Sequence, residues 1–124
     1  MTLEAVFEDL RCLFTPIEGR AVLVADTPTR YYLATHEVRA RDGYRTGFGG
    51  VEIGKRYVSV HLMPVYIHPE LLDGISPALR RRMQGKSCFN FRQTDPDLRV
   101  ELAALVERCA AVFTGEGRLA TDTA

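Results

Sequence analysis

Across Arg56–Leu62 the side chains alternate without a break, with Val58, Val60 and Leu62 on one parity and Tyr57, Ser59 and His61 on the other. Successive strand residues point to opposite faces, so this stretch predicts a strand with one buried and one wet face. Ser87–Arg92 repeats the pattern, with Phe89 and Phe91 opposite Cys88, Asn90 and Arg92. One-sided strands of this kind need an apolar cover on one face only. The two ends of the chain are built to supply it.

Residues 3–14 carry Leu3, Val6, Phe7, Leu10, Leu13 and Phe14 at helical spacing on one side. Thr2 is placed to cap that helix and Pro16 to end it. Near the other end Asp95 is the cap and Pro96 the first-turn residue. From Leu98 to Phe113 an apolar stripe follows, closed by Gly115. Between the helices, Ala21–Ala25, Tyr31–Val38 and Val51–Ile53 read as further strands, joined by turns at Asp26-Thr27-Pro28, Asp42-Gly43 and Gly54-Lys55. Short connections imply antiparallel hairpins. Pro69–Asp73 predicts one helical turn, and Ser76-Pro77 starts a short helix that Gly85 would end in a left-handed conformation. The expected fold is an α+β two-layer sandwich, an antiparallel sheet covered on one face by the N- and C-terminal helices. Residues 1–115 read as a single domain and 116–124 as a loose polar tail.

Lys plus Arg and Asp plus Glu number sixteen each among 124 residues, so no overall field draws the chain to nucleic acid or membrane. Nucleic-acid binding is therefore not expected. Fourteen of the cations are arginine, which suits bidentate pairing with carboxylate or phosphate and is also what genomic GC bias produces. Cys12, Cys88 and Cys109 form neither a CxxC pair nor an even set, which argues against zinc-ribbon, redox and secreted disulfide designs. The start, MTLEAVFEDL, is acidic and amphipathic, and no apolar run approaches membrane-spanning length. A cytoplasmic location is expected, with no membrane partner.

If Val58, Val60, Leu62, Phe89 and Phe91 face the helices, then Tyr57, Ser59, His61, Cys88, Asn90 and Arg92 face away. Were the two strands neighbours, those six would share one patch with a thiol, an imidazole, a hydroxyl and a guanidinium. That is enough for a small-ligand site, and it is also what the polar face of any antiparallel sheet looks like. Cys88 with His61 offers a nucleophile and base for a small enzyme, provided that they touch and a third group orients the imidazole. His61, His68 and Glu70 hold metal-ligating atoms at a spacing that matches no common pattern. Arg80, Arg81, Arg82 and Lys86 are the one dense basic cluster. On a helix its arginines would fan out about 100° apart. Gly47-x-Gly49-Gly50 lacks dinucleotide-binding spacing and reads as a bulge or a close backbone approach.

YVSVHLMPVYIHPELL and ISPALRRRMQGKSCFNF resemble the bacterial YdhG-like domain of unknown function, a family likened to frataxin-like iron chaperones. The resemblance spans Val51 to Phe113 and rests on Tyr57, His61, Pro64, Ser76-Pro77, Gly85, Lys86, Cys88, Phe89 and Phe91. It implies a helix-over-sheet fold in the cytoplasm. Members often carry a proline in a Tyr-Gly-x-Pro-x-Phe segment, and Gly43–Phe48 lacks it. The frataxin likeness would make iron the cofactor, with Glu4, Glu8 and Asp9 as an acidic edge. The residues themselves favour a non-enzymatic binding or interaction domain. It would use the patch of Tyr57, Ser59, His61, Cys88, Asn90 and Arg92 with the nearby loops at Gly47–Gly50 and Gly85–Lys86. Its partner would be an undefined ligand or protein, or a second copy docked through Tyr57.

Overall fold

The Thr2 hydroxyl accepts from the Ala5 amide at 3.0 Å, and helix α1 runs from there over Leu3–Arg11. It stops short of Phe14, and Pro16, which has no amide proton, cannot carry the α-helical ladder onward. The chain tightens instead into a 3₁₀ turn over Thr15–Arg20, which keeps Phe14 and Ile17 in the core. The structure, a computed structural model, describes residues 1–121.

Six strands follow, β1 (Val22–Asp26), β2 (Arg30–Val38), β3 (Arg45–Ile53), β4 (Val58–Leu62), β5 (Met83–Gln84) and β6 (Cys88–Phe91). They form one sheet in the order β1-β2-β3-β4-β6-β5, every neighbouring pair antiparallel. The first four strands are a meander. The chain then crosses through α2 (Met63–Ile67), a 3₁₀ turn at Pro69–Leu72 and α3 (Pro77–Arg80), and returns as the β5–β6 hairpin with β6 inside. α4 (Pro96–Gly115) completes the second layer, with the Asp95 carboxylate accepting from the Leu98 amide at 2.8 Å. The architecture is the expected α+β sandwich. Its core joins Val6, Phe7 and Leu10 of α1 and Leu102, Val106 and Phe113 of α4 to the inner parity of the sheet.

Two local expectations give way to tertiary pairing. α3 is only four residues long, and Met83–Gln84 pairs with β6 as a strand rather than extending the helix. The Asn90 amide donates to the Arg82 carbonyl at 2.8 Å, a bond that a continued helix would forgo. Gly85 does adopt a positive φ, 74°, but it closes a hairpin and not a helix. The stretch after Gly115 also differs from a loose tail. Leu119 is 4% exposed and belongs to the core, and the Ala120 amide donates to the Arg20 carbonyl at 3.0 Å. Residues 122–124 of that predicted tail lie outside the described residues.

Glycines 49 and 50 lie inside β3, where its neighbours come close. A Cβ at Gly49 would stand 2.2 Å from the His61 carbonyl oxygen, and one at Gly50 would stand 2.0 Å from the Tyr31 carbonyl oxygen. Both obstacles are backbone, so no side chain fits without moving a strand. Among the described residues, no helix is long and apolar enough to cross a membrane.

Candidate functional site

Pairing register decides what the open face of the sheet presents. Ser59 sits opposite Asn90 and His61 opposite Cys88, while Val58 and Val60 sit opposite Phe91 and Phe89 on the helix side. β4 and β6 are thus neighbours, and the two alternating stretches share parity. The register continues outward in two rows. One runs Arg30, Glu52, Ser59, Asn90 and the other Tyr32, Gly50, His61, Cys88, Gln84.

In the second row, β2 and β4 are two strand spacings apart, roughly 9.6 Å. The Tyr32 and His61 rings nonetheless come within 6.2 Å, centroid to centroid, at 20° between planes. They lean together over Gly50, which has no side chain to separate them. The Tyr32 hydroxyl also lies over Gly47, where a Cβ would stand 2.4 Å from it. The glycine run of β3 is therefore a shelf for Tyr32. The Arg30 guanidinium stands 4.9 Å above the Tyr32 ring and meets the Glu52 carboxylate at 3.2 Å. Burial pushes the Tyr32 hydroxyl above its ordinary value, with nearby Tyr44 adding to the shift.

His61 Nδ1 lies 3.4 Å from Cys88 Sγ and 3.3 Å from Ser87 Oγ. Burial lowers the basicity of the imidazole. A thiol and a hydroxyl can both donate to an unprotonated Nδ1, so its neighbours suit the neutral ring that burial favours. Next to this pair the Ser59 hydroxyl donates to Asn90 Oδ1 at 2.7 Å. Together Arg30, Tyr32, Gly50, Ser59, His61 and Cys88 line a groove of about 210 Å³.

The expected patch is thus divided. Ser59, His61 and Cys88 belong to the groove under Tyr32, whereas Tyr57, Asn90 and Arg92 line a second groove with Arg81, Arg82 and Gln84. Lys86 joins neither. It lies in the β5–β6 turn beside Val65, Tyr66 and Leu72, because the hairpin carries it off the strand rows. Tyr32, Gly50 and Ser87 are members of the site that alternation in β4 and β6 did not reveal. The parity of Tyr32 against Tyr31 and Leu33 was the available signal, but it needed the β2–β3–β4 register to become meaningful.

Two of the three carboxylates of α1 are engaged with other groups. Glu8 pairs with Arg11 at 3.8 Å, and Asp9 pairs with Arg99 at 3.7 Å and accepts from the Thr94 hydroxyl. His68 meets Glu116 at 2.9 Å and Glu70 at 3.5 Å, away from the sheet face that carries His61. Neither Glu4, Glu8 and Asp9 nor His61, His68 and Glu70 come together as ligands, and no group of three His, Cys, Asp or Glu side chains among the described residues is arranged to hold a metal ion. Cys12 is exposed, Cys88 half-buried and Cys109 buried, with the Cys109 thiol pushed up to about 12 by that burial. No protein family, curated protein or solved structure matches the chain.

Proposed function

We propose that the protein is a cytoplasmic, non-enzymatic binding domain whose site is the open sheet face at Tyr32, His61 and Cys88, and whose ligand presents a small planar ring. The observation that carries this reading is the near-parallel Tyr32–His61 pair over Gly50, with polar atoms of Ser59 and Cys88 at its margin. Aromatic faces bind flat rings by offset stacking, and a few placed polar groups orient them. At about 210 Å³ the groove is below the usual range for a drug-sized ligand, so it suits one ring.

The contact between His61 and Cys88 meets one requirement of a nucleophile–base pair. The others fall short. An imidazole that must take the thiol proton gains from a carboxylate that stabilises its charged form. Here the contacts of His61 are the thiol and a serine hydroxyl, and burial opposes the charged ring. This environment supports binding over catalysis. The resemblance to YdhG-like domains supports the cytoplasmic placement and supplies iron as the competing ligand.

Native mass spectrometry of gently purified protein, followed by a heteroaromatic fragment screen read by His61 ring NMR shifts, tests the proposal. Fragments should shift the His61 signals, and Tyr32→Ala should abolish binding while Cys88→Ser retains it. A reaction lost in Cys88→Ala would overturn it in favour of an enzyme. Tight ferrous iron binding that fails when Glu4, Glu8 and Asp9 are neutralised together would overturn it in favour of iron handling.

A further inference from the structure

Charge is segregated in this neutral chain. Residues 54–69 and 74–94 hold seven of its sixteen cationic side chains and none of its sixteen acidic ones. The sheet order brings those two segments together, since β4, β6 and β5 are consecutive neighbours. Strands β4, β6 and β5 and the β5–β6 turn therefore carry no carboxylate, and the acids of the crossover between them are confined to Glu70 and Asp73.

The cations converge at one place. Arg81, Arg82 and Arg92 line a groove of about 350 Å³ with Tyr57, Gln84 and Asn90. The helical fan expected of the arginine run does not apply, because α3 ends at Arg80 and Arg81 is already its cap. Arg80 turns away and donates to the Leu72 carbonyl. Arg82 follows the strand pairing instead, across from Asn90 on the open face. Among the described residues, the guanidiniums of Arg81, Arg82 and Arg92 make no ion pair or side-chain hydrogen bond. The amides beside them are fixed. Asn90 accepts from Ser59 and its nitrogen donates to Gln84 Oε1.

We infer that this groove binds a small phosphate-bearing molecule. Three guanidiniums around one concavity with no carboxylate match an acceptor with several charged oxygens, and guanidinium–phosphate contacts are frequently bidentate. A single carboxylate would leave much of that donor set unused. The remainder of the molecule carries the whole acidic excess, so a long polyanion crossing the groove would run onto repulsive surface. A compact ligand avoids that. The inference stands on charge and geometry beyond β4 and is independent of the Tyr32–His61 site.

The test is isothermal titration of the full chain with pyrophosphate at ~50 and ~200 mM salt, with binding weaker at the higher salt. Arg82→Gln and Arg92→Gln should each weaken binding by about tenfold or more, the scale of a lost charge-assisted bond. Arg108→Gln, an exposed change on α4, should leave it as in the parent, and so should Tyr32→Ala. All four changes are outside the core, and melting curves confirm that each variant is folded. Absence of pyrophosphate binding, or binding indifferent to Arg82 and Arg92, overturns the inference. A single-stranded oligonucleotide that binds where pyrophosphate does not would overturn it in favour of a polymer.

Discussion

A methyl group at position 50 would meet the Tyr31 carbonyl oxygen at 2.0 Å and the Tyr32 Cα at 2.7 Å. At position 47 the obstacle is the Tyr32 hydroxyl, the far end of a side chain. The two substitutions should therefore differ in kind. Gly50→Ala must push β2 off β3 and should cost about 3 kcal/mol or more, while Gly47→Ala needs only a ring movement and should cost about 1 kcal/mol. Urea unfolding of both variants reads the difference directly. Equal midpoints would mean that the strands part easily and that the glycines are not held by close approach. Gly47→Ala should still disturb the site, because the Tyr32 ring that it displaces is the one stacked near His61. The sequence made a close approach legible at this glycine run, since an unbroken strand has no other use for three glycines in four residues. It did not say which ring lies over them. That depends on pairing across β2, β3 and β4, and two of those pairings span β-bulges or turns whose lengths local pattern leaves open.

Among the elements, α3 shows where local signals end. Ser76-Pro77 was readable as a start because a cap and a first-turn proline act within a few residues. The Ser76 hydroxyl indeed accepts from the Leu79 amide at 3.1 Å. Yet the strongest contacts of that start come from α4. Both the amide and the hydroxyl of Ser76 donate to the Glu101 carboxylate at 2.6 Å. Glu101→Ala removes two charge-assisted bonds at a part-buried position and should destabilise the fold by about 2–3 kcal/mol in chemical denaturation. Glu101→Gln keeps an acceptor and should cost less. A loss no larger than that of an ordinary surface substitution would show that water replaces the carboxylate. The same limit explains β5. Nothing in Arg82-Met83-Gln84 alternates for long enough to announce a strand, and only its partner makes it one. By contrast β4, β6 and α4 were legible because each repeats its period several times over.

For the molecule as a whole, the half-buried imidazole of His61 links stability to pH. His61 holds its proton less tightly in the folded chain than its ordinary value of 6.5, through burial. A base depressed on folding is protonated first in the unfolded chain. Stability is thus unaffected by His61 above about pH 7 and declines as pH falls through 6.5, levelling only below the folded value. Unfolding midpoints measured from pH 7.5 to 5 should fall more steeply for the parent than for His61→Gln. Parallel profiles would place the imidazole in contact with bulk water.

The two outer strands of the sheet have a further consequence. An unpaired strand edge is a template for another chain, and net charge is one of the defences that keep copies apart. This protein has a formal net charge of zero at pH 7, so that defence is weak. Its edges are guarded by shape instead. β1 is interrupted by a bulge between Leu23 and Ala25, and β5 offers only two residues, directly preceded by arginine. Leu23 and Val24 are exposed on the bulged edge, which makes the irregularity there the main barrier to sheet-to-sheet growth. Straightening β1 would remove that barrier and give the chain the flat, apolar rim from which fibrils extend.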